Sequence, residues 1–456
     1  MIENRRTFLQ TAGLTLAAPF GPSAQVRARP NILFLFPDEL RADWVEPSRL
    51  PVRTPNLKRL SDQGVRFTRA VTPSPLCAPA RACLALGKEY DRCGVPGNNV
   101  NLPSGQTTFY QLLRSAGYHV MGCGKFDLHK PDRDWGTDGR KWIADWGFSD
   151  GINSEGKSDA TLSFQRMGRP MGPYLAYLQS KGLLKTHVDD FGRRKGHNAT
   201  FPTPLSDEDY CDNWIARNGL QLLDRAPSGQ PWFLQVNFNG PHPPWDITRK
   251  MEKAWRGTAF PPPDGSGEYS AEEHNRIRQN YAAMIENIDR AAGRFLEKLK
   301  ARGELDNTLV VFSSDHGEML GDHNRWGKTF PHQPSVGIPL VFWGAGVRSG
   351  VVCPQPSTSL DLTATFLDYA GLPRPAEMDS RSLRPFLQEG KSDGLRSHVL
   401  SGLGKWRLAM DQRYKYIRGF EAEPLLFDHQ NDPLENSNLA AANPEAASRL
   451  ARLLPA

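Results

Sequence analysis

The chain has 456 residues, of which 39% are hydrophobic, and its formal net charge at pH 7 is +6. This length is enough to bury a large core and allows two or three domains. No apolar run is long enough for a transmembrane helix, and no basic run interleaved with aromatic residues supports nucleic-acid binding. The sequence therefore predicts a loop-rich globular enzyme or binding protein with no stable membrane span.

The first 28 residues have the order of regions that is typical of an export signal. Arg5-Arg6-Thr7-Phe8-Leu9 is followed by a modestly apolar stretch and then by small residues. The paired arginines resemble a twin-arginine signal, whose export machinery delivers folded cargo. We expect residues 1–28 to be removed, which lowers the net charge to +4, and the protein to be periplasmic or secreted. The alternative is a disordered basic start.

Short apolar runs recur along the chain and predict buried strands. The runs are Pro30–Phe36, His119–Met121, Trp232–Phe238, Thr308–Phe312 and Pro339–Phe342. Helical patterns lie between them, and strands that alternate with helices indicate a large, mostly parallel sheet with helices on both faces.

The boundaries of two of these helices can be predicted from capping and stop residues. The first is predicted over Asn56–Gln63, after Thr54-Pro55 and before a glycine. In the second, Ser270 and the glutamate three residues later form a capping box, and Gly303 ends the helix.

The pattern changes after about residue 390. Trp406–Ala409 and Tyr414–Ile417 are short alternating runs that predict antiparallel strands, and a polar helix closes the chain. We therefore predict a catalytic or binding domain over residues 29–390 and a small sheet-plus-helix domain over residues 391–456.

Polar residues follow two of the predicted strands directly. Asp38-Glu39 ends the first run, and Ser313–Gly317, which contains Asp315 and His316, ends another. Ligand sites of parallel sheets lie beyond the carboxyl ends of the strands, and carboxylates with an imidazole suit a divalent cation. The alternative is that the acidic residues cap the following helices.

The stretch LCAPAR places Cys77 two residues before Pro79 and four before Arg81, at a predicted helix start. A helix N-terminus stabilises negative charge, which makes Cys77 a candidate nucleophile. The alternative is a small buried hydrophobe. The six cysteines are too few and too unevenly spaced for a disulfide framework, and no CxxC pair indicates a structural zinc site.

Cys77-Ala78-Pro79-Ala80-Arg81 resembles the C-x-P-x-R signature of the type I sulfatases, within the alkaline phosphatase superfamily. The resemblance extends over nearly the whole chain after residue 28. It includes Gly124-Lys125, Gly240–Pro244, Ser314–Gly317, Gly321–His323, Trp326–Lys328 and the C-terminal Leu426–Asp428 with Asp432–Glu435. It implies an alkaline-phosphatase-like fold, which is a large mixed, mostly parallel sheet sandwiched by helices with a smaller C-terminal antiparallel sheet domain.

The resemblance further implies that a formylglycine-generating enzyme converts Cys77 to formylglycine, whose hydrate attacks sulfur and then expels sulfate on returning to the aldehyde. The implied metal ligands are Asp38, Glu39, Cys77, Asp315 and His316. The implied catalytic residues are Cys77, Arg81, Lys125, Asp127, His242 and Lys328, and the implied substrate contacts are His129, Lys125, His242 and Lys328.

Three positions of the implied site depart from the family pattern, and Gln333 and Gly337 also stand where charged residues are often found. Glu39 stands where a second aspartate is usual, and His316 where many members have asparagine, so Ca²⁺ is expected, with Mn²⁺ or Mg²⁺ as the reserve. Asp127 stands where histidine commonly helps to break down the sulfated intermediate. Asp127 itself, or His129 two residues later, could serve instead, or both could contact substrate.

The leading hypothesis is a sulfatase that acts on a carbohydrate sulfate ester. Four tryptophans, Trp135, Trp142, Trp146 and Trp245, offer stacking faces for sugar rings, although packing explains most of them equally well. The second hypothesis is a phosphonate monoester hydrolase or phosphodiesterase on the same scaffold. A non-catalytic glycan-binding protein is the third and ranks low, because the residues implied for catalysis are present.

Overall fold

A computed structural model describes residues 29–455, so the predicted export signal at residues 1–28 lies outside the described residues. Twelve strands are present in this part of the chain. They are β1 (Asn31–Asp38), β2 (Val65–Val71), β3 (His119–Gly124), β4 (Asp150–Asn153), β5 (Trp232–Pro241), β6 (Thr308–Ser313), β7 (Leu340–Gly344), β8 (Val351–Thr358), β9 (Val399–Leu403), β10 (Trp406–Met410), β11 (Tyr414–Arg418) and β12 (Leu425–Asp428).

Fourteen α-helices lie between and around these strands. They are α1 (Pro55–Asp62), α2 (Cys77–Leu86), α3 (Phe109–Ser115), α4 (Ile143–Trp146), α5 (Lys157–Met167), α6 (Pro173–Ser180), α7 (Leu184–Arg193), α8 (Cys211–Arg225), α9 (Arg249–Trp255), α10 (Ala271–Ala301), α11 (Gln333–Val336), α12 (Asp361–Tyr369), α13 (Arg384–Glu389) and α14 (Pro444–Ala451). Within residues 29–455, no helix is long and apolar enough to cross a membrane.

The large sheet has eight strands in the order β4-β3-β5-β1-β6-β7-β2-β8. Strand β7 is antiparallel to both of its neighbours, whereas the other pairings are parallel. All five predicted strands lie in this sheet. The predicted large mixed, mostly parallel sheet is therefore confirmed, and β1 stands near its centre.

Helices cover both faces of the sheet because its central strands are apolar on both sides. Alternate residues of β1 point to opposite faces, so Leu33 and Leu35 join one core cluster while Ile32, Phe34 and Phe36 join the other. The first cluster includes residues of α8 and α10, and the second includes residues of α2, α3 and α12.

The helix predicted after Ser270 is α10, the longest helix of the described chain. The Ser270 hydroxyl accepts from the Glu273 amide at 3.3 Å, and the Glu273 carboxylate accepts from the Ser270 amide at 3.0 Å. This is the predicted capping box, and Gly303 follows the helix with a φ of 68°. The helix predicted over Asn56–Gln63 is α1, shifted by one residue.

The small sheet is antiparallel in the order β12-β11-β10-β9, as expected for the C-terminal part of the chain. One face packs on Val71 and Val336 of the larger part, and the other face is covered by α14. The boundary at residue 390 itself stays a prediction.

A buried ion pair joins the small sheet to the larger part. Lys415 of β11 pairs with Glu435, and both side chains are fully buried. The Glu435 carboxylate also accepts from the Gln333 amide at 2.8 Å, and Lys415 donates to the Pro331 carbonyl at 2.9 Å. The pair therefore fixes the segment that immediately precedes and begins α11.

Candidate active site

The carboxyl ends of four adjacent strands bring together most of the residues named from the sequence. Asp38 ends β1, Lys125 follows β3, His242 follows β5, and Asp315-His316 follows β6. These strands are neighbours in the order β3-β5-β1-β6, so their polar ends meet at one edge of the sheet.

Cys77 is the first residue of α2, whose ten residues are all buried. Its Sγ lies 3.3 Å from His316 Nε2, 3.5 Å from Lys125 Nζ and 3.8 Å from Asp38 Oδ1. The thiol therefore lies among side chains that arrive from three different strands, at the N-terminus of a helix, where negative charge is favoured.

Four side chains form a set that could hold a metal ion. Asp38, Cys77, Asp315 and His316 each offer a ligand atom, and these atoms lie within 4.8 Å of one another. Glu39 belongs to a second, overlapping group with Asp38 and His242; burial raises the pKa of Glu39 well above its usual value, although Lys328 opposes this shift. Carboxylate oxygens with one imidazole are a donor set that fits a divalent cation.

Arg81 and Lys125 hold the two aspartates in place. The Arg81 guanidinium contacts Asp315 Oδ2 at 2.9 and 3.0 Å and lies 3.5 Å from Asp38 Oδ2, and it also donates to the Lys125 carbonyl. Lys125 Nζ pairs with Asp38. Burial favours a neutral amine, but Asp127 and Asp38 outweigh it and raise the pKa of Lys125 well above its usual value.

Glu39 connects a second pair of basic groups to the site. Its Oε2 lies 2.6 Å from Lys328 Nζ and 3.3 Å from His242 Nε2, and its amide donates to Asp315 at 3.0 Å. Burial and the neighbouring Lys328 cation lower the pKa of His242 well below its usual value, so the imidazole is neutral at pH 7. Lys328 itself has a raised pKa, because Cys77 and Glu39 outweigh its burial, and it carries a proton.

His316 is charged in this arrangement. Burial alone would favour the neutral ring, but Asp315 and Cys77 outweigh it and raise the pKa of His316 to about 9. Its Nδ1 lies 3.0 Å from the Gly317 carbonyl, which directs Nε2 towards Cys77.

Asp127 and His129 have different surroundings. Asp127 Oδ2 lies 3.2 Å from Lys125 Nζ and 2.8 Å from Lys130 Nζ, whereas His129 stacks on Trp142 at 4.2 Å. Burial opposes ionisation of Asp127, but Lys125 and Lys130 outweigh it and lower its pKa to about 2. Asp127 thus contacts Lys125, which belongs to the cluster of side chains around Cys77, while His129 packs against Trp142.

Three polar residues of the site did not emerge from the sequence. Asn98 Oδ1 accepts from the Ala78 amide at 3.0 Å and so caps the start of α2. Asn237 Oδ1 accepts from Gln235 at 2.8 Å and lies 3.4 Å from Arg81 Nη1. Lys130 bridges Asp127 and Asp159, at 2.8 and 2.5 Å. A single sequence contains no signal that places any of these three residues in the site.

The expectation that four tryptophans present faces to sugar rings is wrong for three of them. Trp135, Trp146 and Trp245 are at most 3% exposed and belong to the packed interior. Trp142 is partly buried and is stacked by His129. Packing in the core, the alternative considered for these residues, explains them.

All six cysteines are buried and unpaired in the structure. This agrees with the absence of a disulfide framework in the sequence.

Comparisons with known proteins place these residues in a family context. The family model described as Sulfatase matches residues 30–372, and the model described as N-sulphoglucosamine sulphohydrolase, C-terminal, matches residues 321–453. The first match covers every residue of the cluster around Cys77.

Two curated relatives align over most of their length. The chain is 27% identical to the multifunctional alkaline phosphatase superfamily protein PehA of Trinickia caryophylli, over 90% of this chain and 91% of the relative. It is 26% identical to an N-acetylglucosamine-6-O-sulfatase of Bacteroides thetaiotaomicron, over 84% of this chain and 75% of the relative.

The fold is similar to that of solved structures. A phosphonate monoester hydrolase of Agrobacterium radiobacter superposes with a TM-score of 0.78 and 24% sequence identity, covering 93% of this chain and 94% of that one. At this identity the likeness concerns the fold, which is the predicted alkaline-phosphatase-like fold.

Proposed function

Because the chain belongs to the sulfatase family and is a sulfuric ester hydrolase, we propose that it hydrolyses a carbohydrate sulfate monoester with the formylglycine derivative of Cys77 as nucleophile. One observation carries this proposal. The Cys77 side chain, at the first turn of α2, lies within 4 Å of an imidazole, an ammonium group and a carboxylate that lie at or just after the ends of three different strands.

The charged groups of the site suit both an anionic substrate and a cation cofactor. The basic groups of Arg81, Lys125, Lys130 and Lys328 would attract an anionic ester, and the carboxylates of Asp38 and Asp315 could ligate a cation. A divalent cation, Ca²⁺ in our proposal with Mn²⁺ or Mg²⁺ as the reserve, would be held by Asp38, Glu39, Asp315, residue 77 and the Nε2 atom of His316, whose proton the cation would replace. When bound, it would supply positive charge that favours an ionised nucleophile and an anionic ester.

The chain's own groups then have separate tasks. Oxidation of Cys77 by a formylglycine-generating enzyme gives an aldehyde, which adds water to form a geminal diol. One diol oxygen attacks sulfur and forms a sulfated intermediate while the sugar oxygen leaves. Arg81 orients the diol, and Lys125 and Lys328 lie where negative charge would grow on the sulfate oxygens.

Lys328 is the residue we assign to protonation of the leaving alcohol, because it carries a proton at neutral pH and His242 does not. A positioned acid contributes roughly 10²–10⁴-fold in rate. His242, with a neutral ring 3.3 Å from Glu39, is assigned to hydrogen bonding of the ester.

Asp127 is the residue we assign to the second step, in which the remaining diol hydroxyl loses its proton and the C–O bond to sulfate breaks. It is ionised, and its Oδ1 is buried and has no hydrogen-bond partner among residues 29–455. Its pKa of about 2 makes it a weak base, so we expect a contribution near the lower end of the range, about 10²-fold.

The carbohydrate assignment is supported by one relative, the N-acetylglucosamine-6-O-sulfatase, and not by the buried tryptophans. For localisation, we propose export through the twin-arginine machinery to the periplasm or beyond. This proposal depends on the Arg5-Arg6 motif of the sequence.

A second candidate, hydrolysis of phosphonate monoesters or phosphodiesters, is favoured by one feature. His316 takes part in the possible metal set at a position where many sulfatases have asparagine, and the phosphonate monoester hydrolase of Agrobacterium radiobacter has a similar fold. Sulfate release and phosphodiester cleavage are therefore to be measured on one preparation. A preference for the diester by orders of magnitude would replace the sulfatase proposal.

The nucleophile is tested by mass spectrometry of the peptide that contains Cys77, from protein made together with a formylglycine-generating enzyme. We expect the mass of the aldehyde or its hydrate and a loss of activity in Cys77→Ala. Cys83→Ala, on the same buried helix, is the matched control and should keep activity. An unmodified thiol in fully active enzyme would contradict the mechanism.

A further inference from the structure

An open polar cavity of about 340 Å³ lies beside the C-terminal sheet. Three parts of the chain line it: Asp264 before α10, the segment that contains His323, Arg325 and His332, and Glu421 with Asn436. The lining therefore includes residues from both sides of the predicted boundary at residue 390. A volume of this size is within the range of small-molecule sites.

Two side chains of the lining have polar atoms that the protein leaves without partners. The Arg325 guanidinium lies over the rings of Phe330 and Phe420, at 4.8 and 5.3 Å, and its Nε is buried with no hydrogen bond to any part of the chain that the structure describes. Among residues 29–455 its side chain has no carboxylate partner within ion-pair distance.

His332 is 6% exposed, and its Nδ1 has no hydrogen-bond partner within the described chain. Burial lowers the pKa of His332 to about 3, so its ring is neutral. A buried polar atom without a partner costs free energy unless a ligand or water satisfies it. The two Nη atoms of Arg325, which lines the cavity, have no hydrogen-bond or ion-pair partner within residues 29–455, so Arg325 offers donors to a molecule in the cavity, and the neutral His332 ring lies beside it.

The cavity is close to the proposed reaction centre along the chain. Arg325 precedes Lys328 by three residues and His332 follows it by four. A chain spans at most about 3.6 Å per residue, so the Cα atoms of Arg325 and Lys328 are no more than about 11 Å apart. Lys328 Nζ in turn contacts Glu39 of the cluster around Cys77.

The hydrogen-bond donors and acceptors that line the cavity indicate which class of ligand fits it. Arginine and asparagine donate hydrogen bonds, Asp264 and Glu421 accept them, and the neutral imidazole of His332 can do either. Hydroxyl groups donate and accept, so a polyhydroxylated ring can use all of these groups at once. Within the described residues, the sets that could hold a metal are confined to the cluster around Cys77, so a cation is not indicated for this cavity.

We propose that this cavity binds a sugar ring of the substrate that is joined to the ring carrying the scissile sulfate. This inference rests on the proposed carbohydrate sulfatase function and extends it, because it requires an oligosaccharide rather than a monosaccharide as the preferred substrate. Glu421 and Asn436 make the C-terminal part of the chain a contributor to substrate choice.

The test compares kcat/KM on three probes: 4-nitrophenyl sulfate, a sulfated monosaccharide such as N-acetylglucosamine 6-sulfate, and oligosaccharides that carry the same sulfated sugar at one end. The variants are Arg325→Ala and Asn436→Ala. Asn436 is exposed, so its substitution does not disturb the core. Arg276→Ala, an exposed arginine on α10, is the matched control. Thermal unfolding checks that each variant is folded.

We expect the wild type to prefer the oligosaccharide to the monosaccharide at least tenfold. Arg325→Ala should reduce this preference about tenfold or more and Asn436→Ala by a smaller factor, while Arg276→Ala leaves it unchanged. If the wild type cleaves sulfated sugars but the variants keep its preference, or if it has no preference, the cavity is not a sugar site. Failure of the wild type to release sulfate from any sugar overturns the carbohydrate function and this inference together.

Discussion

The buried pair Lys415–Glu435 provides a quantitative test of how the C-terminal sheet holds the segment near the active site. Both side chains are fully buried, and Glu435 also accepts from the Gln333 amide at 2.8 Å, while His429 Nε2 lies 2.9 Å from its other oxygen. Glu435→Gln keeps an acceptor for that amide but removes the charge opposite Lys415. Lys415→Met removes the other charge at a similar length.

The expected magnitudes follow from what each variant leaves unpaired. Breaking a buried pair costs about 3–5 kcal/mol, and Lys415 in Glu435→Gln keeps the Pro331 carbonyl, so we expect about 3 kcal/mol. In Lys415→Met, Glu435 keeps the Gln333 amide, and we expect about 2–3 kcal/mol. The double variant leaves no buried charge unpaired at this position and should lose about 1 kcal/mol or less.

The assay is urea denaturation followed by tryptophan fluorescence, with the wild type and all three variants under one buffer condition. Asp189→Asn, which breaks the exposed Lys185–Asp189 pair, is the control and should change stability by less than about 0.5 kcal/mol. The interaction energy from the double-mutant cycle, which is the double-variant effect minus both single effects, should have a magnitude of about 4 kcal/mol. Additive effects, with each single variant below about 1 kcal/mol, would refute this reasoning.

Three further predictions concern the active site. Asp127→Asn should lower turnover of 4-nitrophenyl sulfate about 10²-fold and should accumulate a sulfated enzyme that mass spectrometry detects. His129→Ala should change turnover only a fewfold. A larger loss of turnover in His129→Ala than in Asp127→Asn would assign the second step to His129 instead. Because the pKa of Asp127 is lowered to about 2, its ion pairs stabilise the fold above about pH 4 and are lost as the pH falls through 2. The difference in urea midpoint between the wild type and Asp127→Asn should therefore shrink from pH 5 to pH 2, and a constant difference would count against the shift. Chelation of divalent metal should abolish sulfate release until Ca²⁺ is added back, and Asp315→Asn should retain less metal per chain by elemental analysis; full activity in metal-free protein would exclude the proposed cofactor.

The central strands were predictable because they are continuous apolar runs buried on both faces. Strand β8 was not, since its sequence VVCPQPST contains Pro354 and Pro356, which argue against a central strand. It forms the edge of the sheet, where a missing amide is tolerated. Strand β2, VRFTRAV, was not predicted because Arg66 and Arg69 interrupt its apolar pattern. Both arginine side chains are only partly buried, so the strand can contain them.

The candidate site was predictable where residues follow strands or stand in a recognisable motif. Asp38, Asp315 and His316 followed from strand ends, and Cys77 followed from its place at a helix start. Asn237 lies inside β5 and Lys130 five residues after Lys125, where a single sequence gives no sign that either points into the site. Asn237 lies next to Arg81 of α2, and Lys130 bridges Asp127 and Asp159; only the folded chain brings these residues together.

The complete burial of α2 has a consequence for how active protein comes to exist. Cys77 is 1% exposed and no residue of its helix reaches the surface, so an enzyme that oxidises this thiol must reach it before the helix docks. Under the proposed chemistry, folding and oxidation compete for each newly made chain. A preparation then consists of two populations, one competent and one permanently inert, although both have the same fold. The specific activity of a preparation then depends on how fast the chain is made relative to the supply of oxidising enzyme. Heating or refolding cannot convert the inert population into the competent one without that enzyme.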